Sequence, residues 1–314
     1  MSIDMPLESA SLAQLQQTPI DSVINIIDEG LVHLPSYREL YYRWERQQWR
    51  SQEIDFTPDR LQWERMSEQE REDRIYGLSA FFKGEACVTD TLAPYVTAMP
   101  DEEMRIFLTT QLVDEARHTV FFARFFKEVL GIDSGSLEDT LTEVRQYMNT
   151  HLQYILIDSL AEVAERIRKE PQQKAHLIEG ITLYHIIVEG TMALAGQRSI
   201  LEAYRQFNLF PAFRGGFTAV ARDESRHVVF GVKFLREMVH QDTAHAQVVQ
   251  ASINKYAPIA LKALTPSDEY IPNILAQKAD PWVTPRYALD SLRKKLKVIG
   301  LNMELPSVPP VPVF

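Results

Sequence analysis

Two pentapeptides nearly repeat along the chain: Asp114-Glu115-Ala116-Arg117-His118 and Asp223-Glu224-Ser225-Arg226-His227. Each contains Glu-x-x-His. Three residues turn an α-helix by about 300°, so the Glu and His lie on one face, one turn apart. A lone glutamate precedes each motif. Glu85 lies 30 residues before Glu115, and Glu189 lies 35 before Glu224. Both sit in apolar runs, Phe81-Phe82-Lys83-Gly84-Glu85-Ala86-Cys87-Val88 and Ile186-Ile187-Val188-Glu189-Gly190. A carboxylate on an apolar helix face must be paired, protonated or bound to metal, because an isolated buried charge is too costly. Glu85, Glu115, His118, Glu189, Glu224 and His227 are therefore candidate ligands for two metal ions. Carboxylates can bridge two cations, and imidazole adds one neutral donor to each. Four negative charges balance two divalent cations, so such a site can be buried.

One Glu-x-x-His carries little information, since about one chance match is expected in a chain this long. Glu237-Met238-Val239-His240 is such a match. It points about 220° away from Glu224 around the helix and is expected to be solvated. Two copies in one Asp-Glu-x-Arg-His setting, each with an upstream glutamate, are specific together. The competing reading is two salt-bridged helix pairs in which Arg117 and Arg226 satisfy the acids. Asp223 is expected to orient a ligand histidine across the bundle. For Asp114, that role and a plain surface acid are both open.

Such side chains need long helices to carry them. Twelve glycines are few for a β-rich fold, and the 17 prolines leave long gaps after residues 100, 171 and 211. The spacing predicts helices over residues 72–99, with Pro94 kinking the last turns, and over 101–131, opened by Asp101-Glu102-Glu103 and closed by Gly131. Further helices are expected over 136–168, over 171–207, from just after Gly215-Gly216 to 240, and over 242–263. Long helices with short links make a bundle. The expected fold is all-α, a ferritin-like helical bundle with a four-helix dimetal core and extra flanking helices. Residues 1–33 read as a loosely attached arm with one short helix, 34–296 as the helical domain, and 297–314 as a Pro-rich tail. That tail is either a strap on the body or a docking peptide.

The net charge of -10 argues against nucleic-acid and membrane-surface roles. One cysteine, Cys87, excludes an internal disulfide framework and fits a reducing, cytoplasmic setting. Met1 to Leu15 lacks the basic and apolar regions of a signal peptide. No apolar run approaches a membrane span, because His185 and Glu189 interrupt the stretch 181–196.

The sequence resembles the small-subunit (R2) superfamily of class I ribonucleotide reductase, and most of all its offshoot, the R2-like ligand-binding oxidases. The likeness runs from about Pro35 to Lys295. It is densest in Tyr184-His-Ile-Ile-Val-Glu189-Gly-Thr-Met, Leu209-Phe-Pro-Ala-Phe213 and Asp223-Glu-Ser-Arg-His-Val-Val-Phe-Gly231. Glu85-Ala-Cys-Val-Thr-Asp90 followed by Pro94 also matches. The resemblance implies a manganese/iron or di-iron cofactor that activates O2, held by the six residues above. It puts Glu85 and the first Glu-x-x-His around the manganese-preferring position. In these oxidases a tyrosine five residues before the third ligand glutamate is joined to a valine three residues after the first. Those positions hold Tyr184 and Val88, so an ether between the phenol oxygen and the valine β-carbon is implied. The family also binds a long-chain fatty acid, for which Phe81, Phe82, Ile186, Met192 and Ala195 could line a tunnel or be plain core. A homodimer packed through the flanks of the first two helices is implied as well.

The alternative within the superfamily is the radical-generating small subunit of ribonucleotide reductase. Its usual radical tyrosine corresponds to Phe122 here, and the last tyrosine, Tyr287, is far from the C-terminus. Trp49 matches the superfamily's electron-transfer tryptophan, or is packed core. A ferritin-like metal store or a fatty-acid carrier is the non-enzymatic alternative. The segment from Glu85 to Glu115 looks shorter than in the oxidases, with the loss near Met99-Pro100-Asp101, and the segment before Tyr184 looks longer.

Overall fold

The computed structural model describes residues 7–312. Among them there are helices and no strands. Nine helices matter here: α1 (Ile20–Val32), α2 (Tyr37–Arg46), α3 (Glu68–Thr91), α4 (Glu102–Phe125), α5 (Leu160–Lys169), α6 (Lys174–Gln206), α7 (Pro211–Gln241), α8 (Thr243–Leu264) and α9 (Val283–Ile299). The inner four are α3, α4, α6 and α7. α3 packs on α4, α6 on α7, and α4 also meets α7. α1, α2, α8 and α9 cover their outer faces.

Local sequence sets the helix starts. Ser67 and Glu70 form a reciprocal capping box at α3. The Asp101 carboxylate accepts from the backbone N–H of Glu103 (2.8 Å) and Met104 (3.4 Å) at α4. After α4 a π-helical turn, Phe126–Leu130, ends on Gly131 in the left-handed region, φ 73°.

Several expectations are corrected. Pro94 does not kink a long first helix; α3 ends at Thr91, and Pro94 opens a separate short helix, Ala93–Ala98, where its missing N–H costs nothing. The predicted helix 136–168 is interrupted. One helix covers Leu137–Arg145, and Asn149 caps the next by accepting from Leu152 N–H (2.9 Å). Gly215 and Gly216 do not precede α7 but lie inside it. A Cβ at Gly216 would overlap the Phe121 ring, so glycine here permits close packing on α4. α7 instead begins at Pro211, and Asp59 accepts from the N–H groups of Ala212 (3.0 Å) and Phe213 (2.7 Å). The amino-terminal segment is not a loose arm from residue 7 onward. α1 buries Ile20, Val23, Ile24, Ile27 and Leu31 and packs along α7. The tail lies on the body: Leu301 is buried, Leu305 packs on the core, and Arg286 donates to the Pro309 carbonyl (2.6 Å).

α6 is long and apolar enough to cross a membrane by length and composition, despite its interrupting polar residues. It is a core helix, with 89% of its apolar window buried inside the protein. Its middle, Thr182–Ala193, is π-helical. Five residues turn an α-helix by about 500°, so Tyr184 and Glu189 would point about 140° apart. The i→i+5 geometry of a π-helix brings them onto one face.

α9 supports this stretch from outside. Ser291 Oγ donates to the Gly190 carbonyl (3.2 Å), and buried Lys295 donates to Ser291 Oγ (2.5 Å). No carboxylate pairs with Lys295 among the described residues, and burial pushes its amine down to about 7. The unfolded chain holds that proton to about pH 10.4. Between those values the unfolded state binds more protons, so this group makes stability rise with pH. Urea unfolding of Lys295→Met and wild type should show it: any advantage of the variant shrinks by roughly 1.4 kcal/mol per pH unit between about pH 7 and 10. A pH-independent difference would contradict the assignment.

Candidate metal centre

The four inner helices bring all six sequence-predicted residues together. Glu85 comes from α3, Glu115 and His118 from α4, Glu189 from α6, and Glu224 and His227 from α7. All are buried. Their ligating atoms form two groups: Glu85, Glu115, His118 and Glu224, and Glu115, Glu189, Glu224 and His227. Within each group the atoms lie within 4.8 Å of one another. Glu115 and Glu224 belong to both, the arrangement expected of bridging carboxylates. His118 Nδ1 lies 3.3 Å from Glu85 and 3.4 Å from Glu224. His227 Nδ1 lies 3.3 Å from each of Glu115, Glu189 and Glu224.

Behind the histidines the two motifs exchange partners. His118 Nε2 meets Asp223 at 3.3 Å, and His227 Nε2 meets Asp114 at 3.2 Å. Asp114 is thus fully buried and no surface acid. Arg226 donates to Asp114 (2.8 Å) and Asp223 (2.9 Å), and Arg117 spans the same two carboxylates. The arginines therefore neutralise the aspartates. Among the described residues no lysine or arginine pairs with the four glutamates, which removes the salt-bridge reading. Each aspartate also accepts from an indole, Asp223 from Trp49 (2.7 Å) and Asp114 from Trp44 (2.9 Å).

Sequence reasoning missed Trp44, Gln111 and His185. Gln111 Nε2 donates to Tyr184 Oη (3.1 Å) and Glu189 (3.0 Å), while its Oε1 faces His185 Nε2 at 3.1 Å. The available signal was a polar residue one turn before Glu115 on the same face. Tyr184 Oη donates to Glu115 (2.7 Å). Phe122, where a radical tyrosine would stand, packs among Phe81, Phe82, Phe121, Phe213 and Phe217. The chance match behaves as expected at His240, which is exposed; Glu237 accepts from Tyr37 Oη (2.6 Å).

A cavity of about 370 Å³ runs from the glutamates to exposed Tyr76. Val88 and Tyr184 both line it, as do Phe81, Leu156, Met192 and Ile200. Phe82, Ile186 and Ala195 do not. Phe82 packs on Phe126, Ile186 is in the main core, and Ala195 sits against Leu261, Ala288 and Leu289.

The donor set fits a pair of cations. Glu189 Oε2 is buried with no hydrogen-bond partner. Without cations, burial raises Glu85 and Glu189 well above the carboxylate range. Burial alone would lower both histidines, but Glu85 for His118 and Glu224 for His227 head the surrounding carboxylates that raise them. In the absence of cations these shifts favour protons among the carboxylates and imidazoles.

Residues 32–277 match the family described as ribonucleotide reductase, small chain. The chain belongs to that family. Its fold is also that of two solved R2-like ligand-binding oxidase variants with Mn/Fe cofactors, one anaerobically and one aerobically reconstituted. They share 24% and 23% identity with this family member, each at TM-score 0.73. Each alignment covers 84% of this chain and 93% of the other. A third variant of that oxidase, at 24% identity and TM-score 0.73, carries a non-activated Mn/Mn cofactor, with the same coverage. The small-chain family and these neighbours are oxidoreductases.

Metal ligation requires deprotonated carboxylates and neutral imidazoles. Loading two divalent ions at about pH 7 should release protons from the cluster. A pH-stat titration with Mn(II) measures this, and loading without proton release would contradict the charge assignment.

Proposed function

We propose that this chain is an O2-activating dimetal oxidase. Glu85, Glu115, His118, Glu189, Glu224 and His227 hold the metals, manganese with iron or two irons. The observation that carries the reading is the sharing of Glu115 and Glu224 between two buried four-residue groups at the closed end of an apolar cavity. The bound pair would supply the two-electron chemistry with O2. The protein's part is to hold the donors, exclude water and present oxidisable groups. Gln111 orients both Tyr184 and Glu189, and the Tyr184 hydroxyl donates to Glu115, which can accept its proton when the phenol is oxidised. Burial and the nearby glutamates raise the Tyr184 pKa well above its ordinary value, so the phenol stays neutral until it is oxidised. Val88 shares the cavity, and a Tyr184–Val88 ether removes one hydrogen from each side chain.

The cavity's apolar walls and metal-facing end suit a long-chain fatty acid whose carboxylate joins the metals. Trp49 stacks on His118 at 6.3 Å and bonds Asp223, which supports an electron route to the site. Ile106, Val113 and Val120 are exposed on α4 at seven-residue spacing, which supports a homodimer through that flank. Buried, unpaired Cys87 fits a reducing cytoplasm.

Glu189→Ala should lose at least one of the two metals by elemental analysis, and full occupancy would sink the ligand assignment. After loading with Mn(II) and Fe(II) and exposure to O2, peptide mass spectrometry should find the Tyr184 and Val88 peptides joined and lighter by two hydrogens. If O2 is consumed and the peptides stay separate, the radical-generating subunit becomes the better reading. Nucleotide reduction on mixing with a reductase large subunit would then establish it.

A further inference from the structure

A second pocket, of about 280 Å³, lies where the segment entering α1, the end of α6 and the start of α7 meet. Its walls include Thr18, Asp21, Glu202, Arg205, Arg214 and Thr218, and none of the six candidate ligands. Its charges are unevenly paired. Asp21 accepts from Arg198 Nε (3.2 Å) and Glu202 from Arg198 Nη2 (2.6 Å), so both acids already share one cation. Arg205 and Arg214 have no carboxylate partner in any ion pair of the described residues. Arg214 is only 7% exposed. Its Nη2 donates to the neutral Asn208 Oδ1 (3.2 Å), and its Nε has no partner. Arg205 donates to the Gln17 carbonyl (2.6 Å). The nearby acid Asp59 is engaged in capping α7.

A guanidinium offers five N–H donors, and burying it with donors unmet and no counter-charge is costly. Burial first, and then the charge of Arg205, push the Arg214 guanidinium below its ordinary pKa. Exposed Arg205 lines the same cavity as buried Arg214, and two guanidiniums on one cavity suit recognition of a phosphate or carboxylate.

We propose that this pocket binds a small molecule through a phosphate or carboxylate group held between Arg205 and Arg214. The volume equals that of about nine waters, so there is room for more than the anionic group itself. The bound molecule bridges the segment entering α1 to α6 and α7, and so stabilises the amino-terminal packing.

Isothermal titration of the full chain with inorganic pyrophosphate and, separately, citrate tests this, with sodium chloride at matched ionic strength as the control. At least one probe should saturate a single site and raise the thermal midpoint by a few degrees. Pyrophosphate alone would identify phosphate as the recognised group, and citrate alone would identify carboxylate. Arg214→Gln should weaken binding about ten-fold or more. Arg205 is exposed, so Arg205→Gln reads the site even if the buried variant fails to fold. The proposal is overturned if neither probe saturates beyond the salt control, or if Arg205→Gln binds as wild type does. The pocket contains none of the candidate metal ligands, and because both probes chelate divalent cations the titrations are run on the metal-free full chain.

Discussion

Four glutamates share one buried volume in which two histidines are the only partners able to carry positive charge among the described residues. Their mutual repulsion, with the loss of hydration, would be prohibitive if all were charged and uncompensated. Protons or cations must neutralise them. The choice between the two is a matter of pH and metal supply, because both occupy the same lone pairs. The surroundings of the cluster can be understood as the means of holding those lone pairs in place.

Charge is divided between two layers. The inner layer is left negative, and the outer layer is closed on itself. Arg117 and Arg226 span Asp114 and Asp223, and each aspartate receives one indole and one imidazole. This frame fixes both imidazoles with Nδ1 facing the glutamates. An arginine on the helix face that carries the glutamates would compete with metal for them. The position of Arg117 and Arg226 one residue before each histidine sends them to the aspartates instead.

Close helix approach is the second requirement. Carboxylates from four helices meet only if the backbones come near. Glycines permit this in α7: a Cβ at Gly216 would overlap Phe121 of α4, and one at Gly231 would overlap His185 of α6. The π-helical stretch of α6 then turns Tyr184 and Glu189 to one face. Such a stretch is costly alone, and here it is backed by Ser291 on the Gly190 carbonyl and by Thr191 Oγ1 on Ile186 O (2.7 Å).

The sequence by itself determined the six charged residues, their grouping by helix, and the all-α bundle, because Glu-x-x-His spacing and proline gaps are properties of a single helix. It also indicated that Asp223 would brace a histidine. The tertiary structure decided what depends on relations between helices. Asp114 could be surface or buried until α4 and α7 were placed face to face. Gly215-Gly216 looked like a breaker because flexible residues and close-packing residues read alike in one dimension. The register of Tyr184 with Glu189 was hidden because a π-helical stretch is stabilised by neighbours, not by local propensity. The amino-terminal segment looked detachable because its apolar face gains meaning only against α7. Pairings set by spacing within one helix are legible in sequence, whereas pairings set by which faces meet are not.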